Sequence, residues 1–253
     1  MRDSSLELFV AGAGPSYTDR PGATGAAYLV SHGSTAVLLD LGQGSFPRVA
    51  GELDPTDLDA VVVSHLHPDH FVDLVALRHY LLYGVNPPRR VTVLGPAGLA
   101  DRLDGLHAEP GFTAAALDCA DLTEGSRIVG QLQLEARLVT HTAESYAFRV
   151  AASGTGHGLV YSGDCGRSAD LAPLIHPGDA LLCEVSFGPG PVPPGVNHLD
   201  GPAVGELAST TRVGRVLLTH LQMGFDDAAT IESVRTRFDG PVELVEPGTR
   251  LTI

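Results

Sequence analysis

Residues 64–70 read Ser-His-Leu-His-Pro-Asp-His and directly follow the apolar run Ala60-Val61-Val62-Val63. Three of the chain's 11 histidines fall in that heptapeptide. His65 and His67 are two apart, so at the end of a strand they project to the same side. Pro68 turns the chain, and Asp69 and His70 open a helix. One turn thus offers four donors to a small volume, of the types that suit Zn(II), Mn(II) or Fe(II). Asp69 alone would serve as a helix N-cap, and a lone histidine at a strand end would be a surface residue. Three histidines and an aspartate in a strand–turn–helix context point instead to a metal.

Four donors on one turn cannot complete two coordination shells. Further donors are expected where other strands end along one sheet edge. His141 follows Leu138-Val139-Thr140, Asp164 follows Val160-Tyr161-Ser162-Gly163, and His220 follows Val216-Leu217-Leu218-Thr219. Each could be a turn residue or a hydrogen-bonded histidine by itself. Their shared placement just past an apolar strand raises all three.

The patterning predicts strands over residues 6–10, 27–31, 36–40, 60–64, 91–94, 132–140, 145–151, 158–161, 180–185, 216–219 and 242–245. These runs are β-branched and bounded by Gly, Pro or Asp. Helical spacing predicts helices over 69–83, 98–107 and 202–210. The stretch Gly-Pro-Gly-Pro-Val-Pro-Pro-Gly at 188–195 is too short to separate domains and reads as a loop. A single domain over residues 1–253 is expected, with helices covering sheets.

The family resemblance is carried by His-x-His-x-Asp-His at 65–70 and by His141, Asp164 and His220 in that order. The chain resembles a metallo-β-lactamase-fold hydrolase over nearly its whole length. Supporting stretches are AGAGP (11–15), LLDLGQG (38–44) and LDAVVVSH (58–65). DHFVDL (69–74), HTAESYAFR (141–149) and YSGDCG (161–166) are most similar to the tRNase Z and phosphodiesterase branch. Glyoxalase-type members tend to carry a Gly-rich stretch after the third histidine, where this chain has Thr142-Ala143-Glu144-Ser145-Tyr146.

The resemblance implies an α/β fold, a four-layer αββα sandwich with two mixed sheets and the site on one edge. It implies two divalent metal ions, commonly Zn, with Mn or Fe also fitting. His65, His67 and His141 would hold one; Asp69, His70 and His220 the other; Asp164 would bridge them. Two cations about 3.5–4 Å apart can hold a bridging hydroxide and neutralise a phosphate oxygen. Asp69 would also accept a proton from the attacking water. In the tRNase Z branch a Glu and a His protonate the leaving group. Here Glu184 in LLCEVSF keeps that position, while Cys183 stands where the family has His. NHLDG at 197–201 supplies His198, a general acid or oxyanion stabiliser oriented by Glu184. The resemblance also allows a homodimer through a strand edge or helix.

Composition narrows the substrate. Net charge is -14, and all 16 basic residues are Arg. A nucleic-acid binder normally presents a basic face, and no basic run is found. Twenty-two residues separate His141 from Asp164, and Arg149 is the fixed cation among them. This leaves no room for the long basic arm that grips tRNA in that family. A small-molecule phosphodiester, such as a cyclic nucleotide or nucleotide-like ester, fits better than a tRNA 3′ end. A carboxylic-ester, lactone or thioester hydrolase on the same metals is the alternative, and a catalytically idle relative a third. Three widely spaced cysteines make a poor disulfide framework. With no stretch of membrane-spanning or signal type, the expectation is a cytoplasmic protein without a membrane partner.

Overall fold

The structure is a computed structural model that describes residues 5–152, 154 and 156–253. In chain order, β1 (Glu7–Gly12), β2 (Ala27–His32), β3 (Thr35–Leu39), β4 (Ala60–Val62), β5 (Val91–Gly95) and β6 (Leu117–Asp121) build a first sheet. A second contains β7 (Gly125–Val129), β8 (Leu132–Leu138), β9 (Tyr146–Ala152), β10 (Gly158–Tyr161), β11 (Ala180–Glu184), β12 (Arg215–Thr219) and β13 (Val242–Leu244). The last strand, β14 (Arg250–Thr252), returns to the first sheet and pairs antiparallel with β1. Helices α1 (Phe46–Glu52), α2 (Pro68–Phe71), α3 (Leu74–His79), α4 (Leu99–His107), α5 (Ser168–Leu171), α6 (Gly201–Thr211) and α7 (Asp227–Arg235) complete the chain.

Side chains alternate across the central strands, and both faces there are apolar. Val37, Leu39, Val62, Phe148, Leu182 and Leu217 share the layer between the sheets. Leu38, Val61 and Val63 turn outward onto Val49, Leu74, Leu77 and Leu103. Leu181, Cys183, Val216 and Leu218 turn outward onto Leu171, Val204, Leu207 and Val234. Burial on both faces explains why these strands read as continuous apolar runs. The result is the expected four-layer αββα sandwich.

Within each sheet, one half is parallel: β3–β4–β5–β6 in the first and β10–β11–β12–β13 in the second. Parallel strands end on the same edge, where open α/β sheets place their ligands. Asp40, His65, Asp164, Glu184 and His220 all lie at or just past the ends of such strands.

Three strands lie outside the sequence expectation: β6, β7 and β14. Exposed acids at Asp118 and Asp121 and the largely solvent-facing β7 give them little apolar signal. Helices α1, α5 and α7 likewise lie outside that expectation. The single helix expected over 69–83 is divided. The Asp73 amide donates to the Leu41 carbonyl at 3.1 Å, and the Asp73 carboxylate accepts from the Phe46 amide at 2.9 Å. Those contacts end α2 and restart the chain as α3. Residues 188–195 form a loop, as expected. No helix among the described residues is long and apolar enough to cross a membrane.

Candidate metal centre

The heptapeptide turn is fixed by its backbone. Ala26 donates its amide to the Asp69 carbonyl at 2.9 Å, and Leu41 donates to the His70 carbonyl at 2.8 Å. Gly42 permits this approach: a Cβ there would lie 1.8 Å from the Asp69 carbonyl oxygen. His220 is tied to the first sheet by its amide, which donates to the Ala13 carbonyl at 2.9 Å. Asp40 and His220 both adopt left-handed backbone, with φ of 60° and 59°. That conformation costs an L-residue roughly 1–2 kcal/mol, and it aims both side chains off their strand ends.

All seven histidines and aspartates singled out above meet in two adjoining groups. One contains His65, His67, His141 and Asp164; the other contains Asp69, His70 and His220. Within each, the donor atoms lie within 4.8 Å of one another. The two oxygens of Asp164 divide between them. Oδ2 lies 3.7 Å from His65 Nε2 and 3.6 Å from His141 Nε2. Oδ1 lies 3.5 Å from Nε2 of both His70 and His220. Asp69 Oδ2 lies 3.2 Å from His220 Nε2 and 3.8 Å from His70 Nε2.

Partners outside the cluster orient these rings. His70 Nδ1 lies 2.8 Å from Asp40 Oδ2, and His141 Nδ1 donates to the Asn197 carbonyl at 2.8 Å. His65 Nδ1 lies 3.1 Å from Ser64 Oγ, and His220 Nδ1 lies 3.1 Å from Ser186 Oγ. A proton held on Nδ1 leaves an Nε2 lone pair facing inward, the tautomer a metal-binding imidazole needs. The inward atoms also crowd: the Nε2 atoms of His70 and His220 are 3.4 Å apart. Two lone pairs at that distance repel unless something positive sits between them.

Burial sharpens the point. His65 Nε2 and Asp164 Oδ1 are buried with no hydrogen-bond partner among the described residues. An unmatched buried polar group costs roughly 1–3 kcal/mol, so native sites rarely leave one without a purpose. Burial, reinforced by neighbouring His70, holds His65 well below the ordinary histidine pKa. Burial and His141 lower His67 as well. Burial alone would raise Asp164, but His220 and His70 outweigh it and hold its carboxyl well below the usual range. Burial works against charge on His70 and His220, but Asp164 and its neighbouring carboxylates outweigh it and raise both, so the pocket calls for positive charge that a divalent cation would supply.

His198 stands at the rim. Its ring centroid is 4.8 Å from that of His141 and 6.0 Å from that of His220, nearly parallel to the latter. Its Nδ1 lies 2.9 Å from Glu184 Oε1. Glu184 is fully buried and saturated: it also accepts from the Cys165 amide at 3.0 Å, the Ser186 amide at 3.0 Å and Ser186 Oγ at 2.6 Å. Burial disfavours the His198 imidazolium, but the hydrogen bond and charge of Glu184 outweigh that and raise its pKa. Cys183 faces the other way, into the helix-side core, where burial pushes its thiol well up.

Sequence reasoning missed the orienting residues. Asp40 accepts from Ser64 N at 2.6 Å, Ser64 Oγ at 2.8 Å and the Tyr161 hydroxyl at 2.7 Å, besides touching His70. It is a polar residue just past an apolar strand, the same signal that singled out Asp164 and His220. Ser186 and Asn197 carry no comparable signal, since their roles depend on partners far along the chain.

The family described as a β-lactamase superfamily domain matches residues 36–221. The Mycobacterium leprae protein ML1173 is 32% identical over 242 residues, covering 92% of this chain and 84% of its own. Bacillus subtilis YhfI, described as a probable metallo-hydrolase, is 26% identical over 88% of this chain and 90% of its own. Superposed on the YhfI crystal structure, the chain gives a TM-score of 0.87 at 20% identity, with 98% of this chain and 99% of the other covered. The short form of human tRNase Z gives 0.72 at 19% identity, again covering 98% and 99%.

Proposed function

The chain belongs to the β-lactamase superfamily, and from that premise we propose that it sits on the tRNase Z and phosphodiesterase-like branch and is a dinuclear metal-dependent phosphodiesterase of small, nucleotide-like diesters. His65, His67 and His141 would hold one divalent ion, and Asp69, His70 and His220 the second. Asp164, whose oxygens face both groups, would serve both. Zinc suits the donor set, as do Mn and Fe. Such a pair supplies Lewis acidity, polarising a phosphoryl oxygen and bringing a water's ionisation toward neutral pH.

The chain's own groups do the rest. Asp69 Oδ2 is engaged by His220, which leaves its second oxygen to accept a proton from the attacking water. His198 has Nδ1 committed to Glu184, so Nε2 is the proton donor to the departing oxygen. Beyond His198 lies a groove of about 320 Å³ lined by Arg167. The Arg167 side chain makes no hydrogen bond or ion pair among the described residues, so its charge is free to steady a leaving group.

The observation that carries this reading is the 2.9 Å contact of His198 with the buried Glu184 at the rim. Acyl hydrolysis on two metals does not require a proton donor there, whereas expulsion of an alkoxide from phosphate does. The purified protein is expected to cleave bis-p-nitrophenyl phosphate and to lose that activity in EDTA. Turnover restricted to lactones, thioesters or carboxylic esters would overturn the assignment. Reduced cysteines, free at all three positions, are what a cytoplasmic location would call for.

A further inference from the structure

On the His67 side of the centre a groove of about 390 Å³ opens between the end of β5, helix α4 and the loop after His141. Leu66, Pro96, Ala97 and Ala143 give it an apolar lining, and Arg102 and Glu144 are its charged groups. Both are anchored by backbone. Arg102 Nη1 donates to the Leu66 carbonyl at 2.9 Å, and Glu144 Oε2 accepts from the Ala97 amide at 2.9 Å. Among the described residues, Arg102 Nε and Nη2 and Glu144 Oε1 have no hydrogen-bond partner. A guanidinium edge and a carboxylate oxygen therefore remain available in one apolar groove adjoining a candidate metal-binding histidine.

We propose that this groove is the specificity pocket of the phosphodiesterase and receives a purine ring on one arm of the diester. The proposal rests on the phosphodiesterase reading and narrows its substrate class. The charges select by sign. A second anionic arm would meet Glu144, and a cationic arm would meet Arg102. A neutral ring with acceptors and donors on its edge satisfies both. Purines present N7 or O6 acceptors, which guanidinium groups bind, and ring or amino N–H donors, which carboxylates accept. Their flat faces suit Leu66, Pro96 and Ala143. Pockets of this size with an apolar lining and a few fixed polar groups are the usual form of a small-molecule site.

The test is calorimetric binding of AMP, GMP, CMP, UMP and inorganic phosphate to the zinc-loaded protein, beside competition in bis-p-nitrophenyl phosphate turnover. The purine monophosphates are expected to bind about tenfold tighter than the pyrimidine ones, the scale of one good edge pairing. Arg102→Ala and Glu144→Gln should each collapse the purine-to-phosphate affinity ratio by a similar factor. Equal binding of all four nucleotides overturns the pocket, and that result needs no variant to fold. An unchanged ratio in both variants also overturns it, leaving Arg102 only as the tether of the Leu66 carbonyl. Absence of bis-p-nitrophenyl phosphate turnover together with purine-selective binding would defeat the phosphodiesterase reading while leaving the groove's preference standing.

Discussion

Asp40 Oδ2 lies 2.8 Å from His70 Nδ1, with both side chains wholly buried. The same carboxylate takes the Ser64 amide and hydroxyl and the Tyr161 hydroxyl. It thereby joins the end of β3, the heptapeptide turn and β10 through one charged group.

Asp40→Asn is the informative variant, because Asn shares the tolerance of Asp for left-handed backbone. It removes the charge while keeping shape. Loss of such an orienting partner weakens metal affinity by about 10–100-fold, measurable by competitive zinc titration. Asp40→Ala should cost more stability, on the order of 3–5 kcal/mol, since it strands several buried donors. Denaturant titration reads that difference.

Chelation should destabilise as well as inactivate. A cation that binds only the folded chain stabilises it by about 2.7 kcal/mol at a hundredfold excess over its dissociation constant. EDTA is therefore expected to lower the melting temperature, and added zinc to restore it. Elemental analysis of the native protein should find two metals per chain. A protein free of metal would favour the idle relative.

His198→Ala should show its effect through the leaving group. A nitrophenolate departs without protonation, so bis-p-nitrophenyl phosphate turnover should fall little. Turnover of diesters with an alkyl or ribosyl leaving oxygen should fall by about 10²–10⁴-fold, the usual contribution of a general acid. A uniform loss across both substrates would place His198 in structure rather than in proton transfer.

The pH profile gives the sign of the Glu184 effect. His198 acts as an acid only while protonated, so activity is lost as pH rises through its pKa. Burial pulls that pKa down, but the bond and charge of Glu184 prevail and raise it. The alkaline limb should therefore be shifted upward from the ordinary histidine value. In Glu184→Gln the charge is gone, and the limb should move to lower pH.

Gly42→Ala tests the backbone approach beneath the turn. Its Cβ would collide with the Asp69 carbonyl oxygen at 1.8 Å. Relieving the clash must displace the segment that carries His67, Asp69 and His70. A destabilisation of about 1–3 kcal/mol is expected, with weakened zinc binding in the same titration.

Most of the site was legible because the residues that converge share one local signature. His65, Asp164 and His220 each follow an apolar run that could only be a buried strand. What stayed hidden was pairwise. Ser186 is invisible as a partner of His220 until β11 and β12 lie side by side. Asn197 gains its role by accepting from His141, 56 positions away. The strands β6 and β7 escaped notice because a sheet edge facing solvent needs no apolar alternation. The division of the 69–83 helix was hidden for the same reason as Ser186: Asp73 breaks it by bonding Leu41 and Phe46, contacts formed only in the assembled fold.

The centre draws His65, His67, Asp69 and His70 from one sheet and His141, Asp164 and His220 from the other, and beside it the sheets are tied by Tyr161 on Asp40, the Tyr146 amide on the Ser64 carbonyl and the His220 amide on the Ala13 carbonyl. Sliding one sheet against the other would pull the two oxygens of Asp164 off their separate clusters at once. Alignment of the halves and integrity of the centre are thus a single mechanical variable, so a distant core substitution that shifts the sheets should be felt first as weaker zinc uptake in titration.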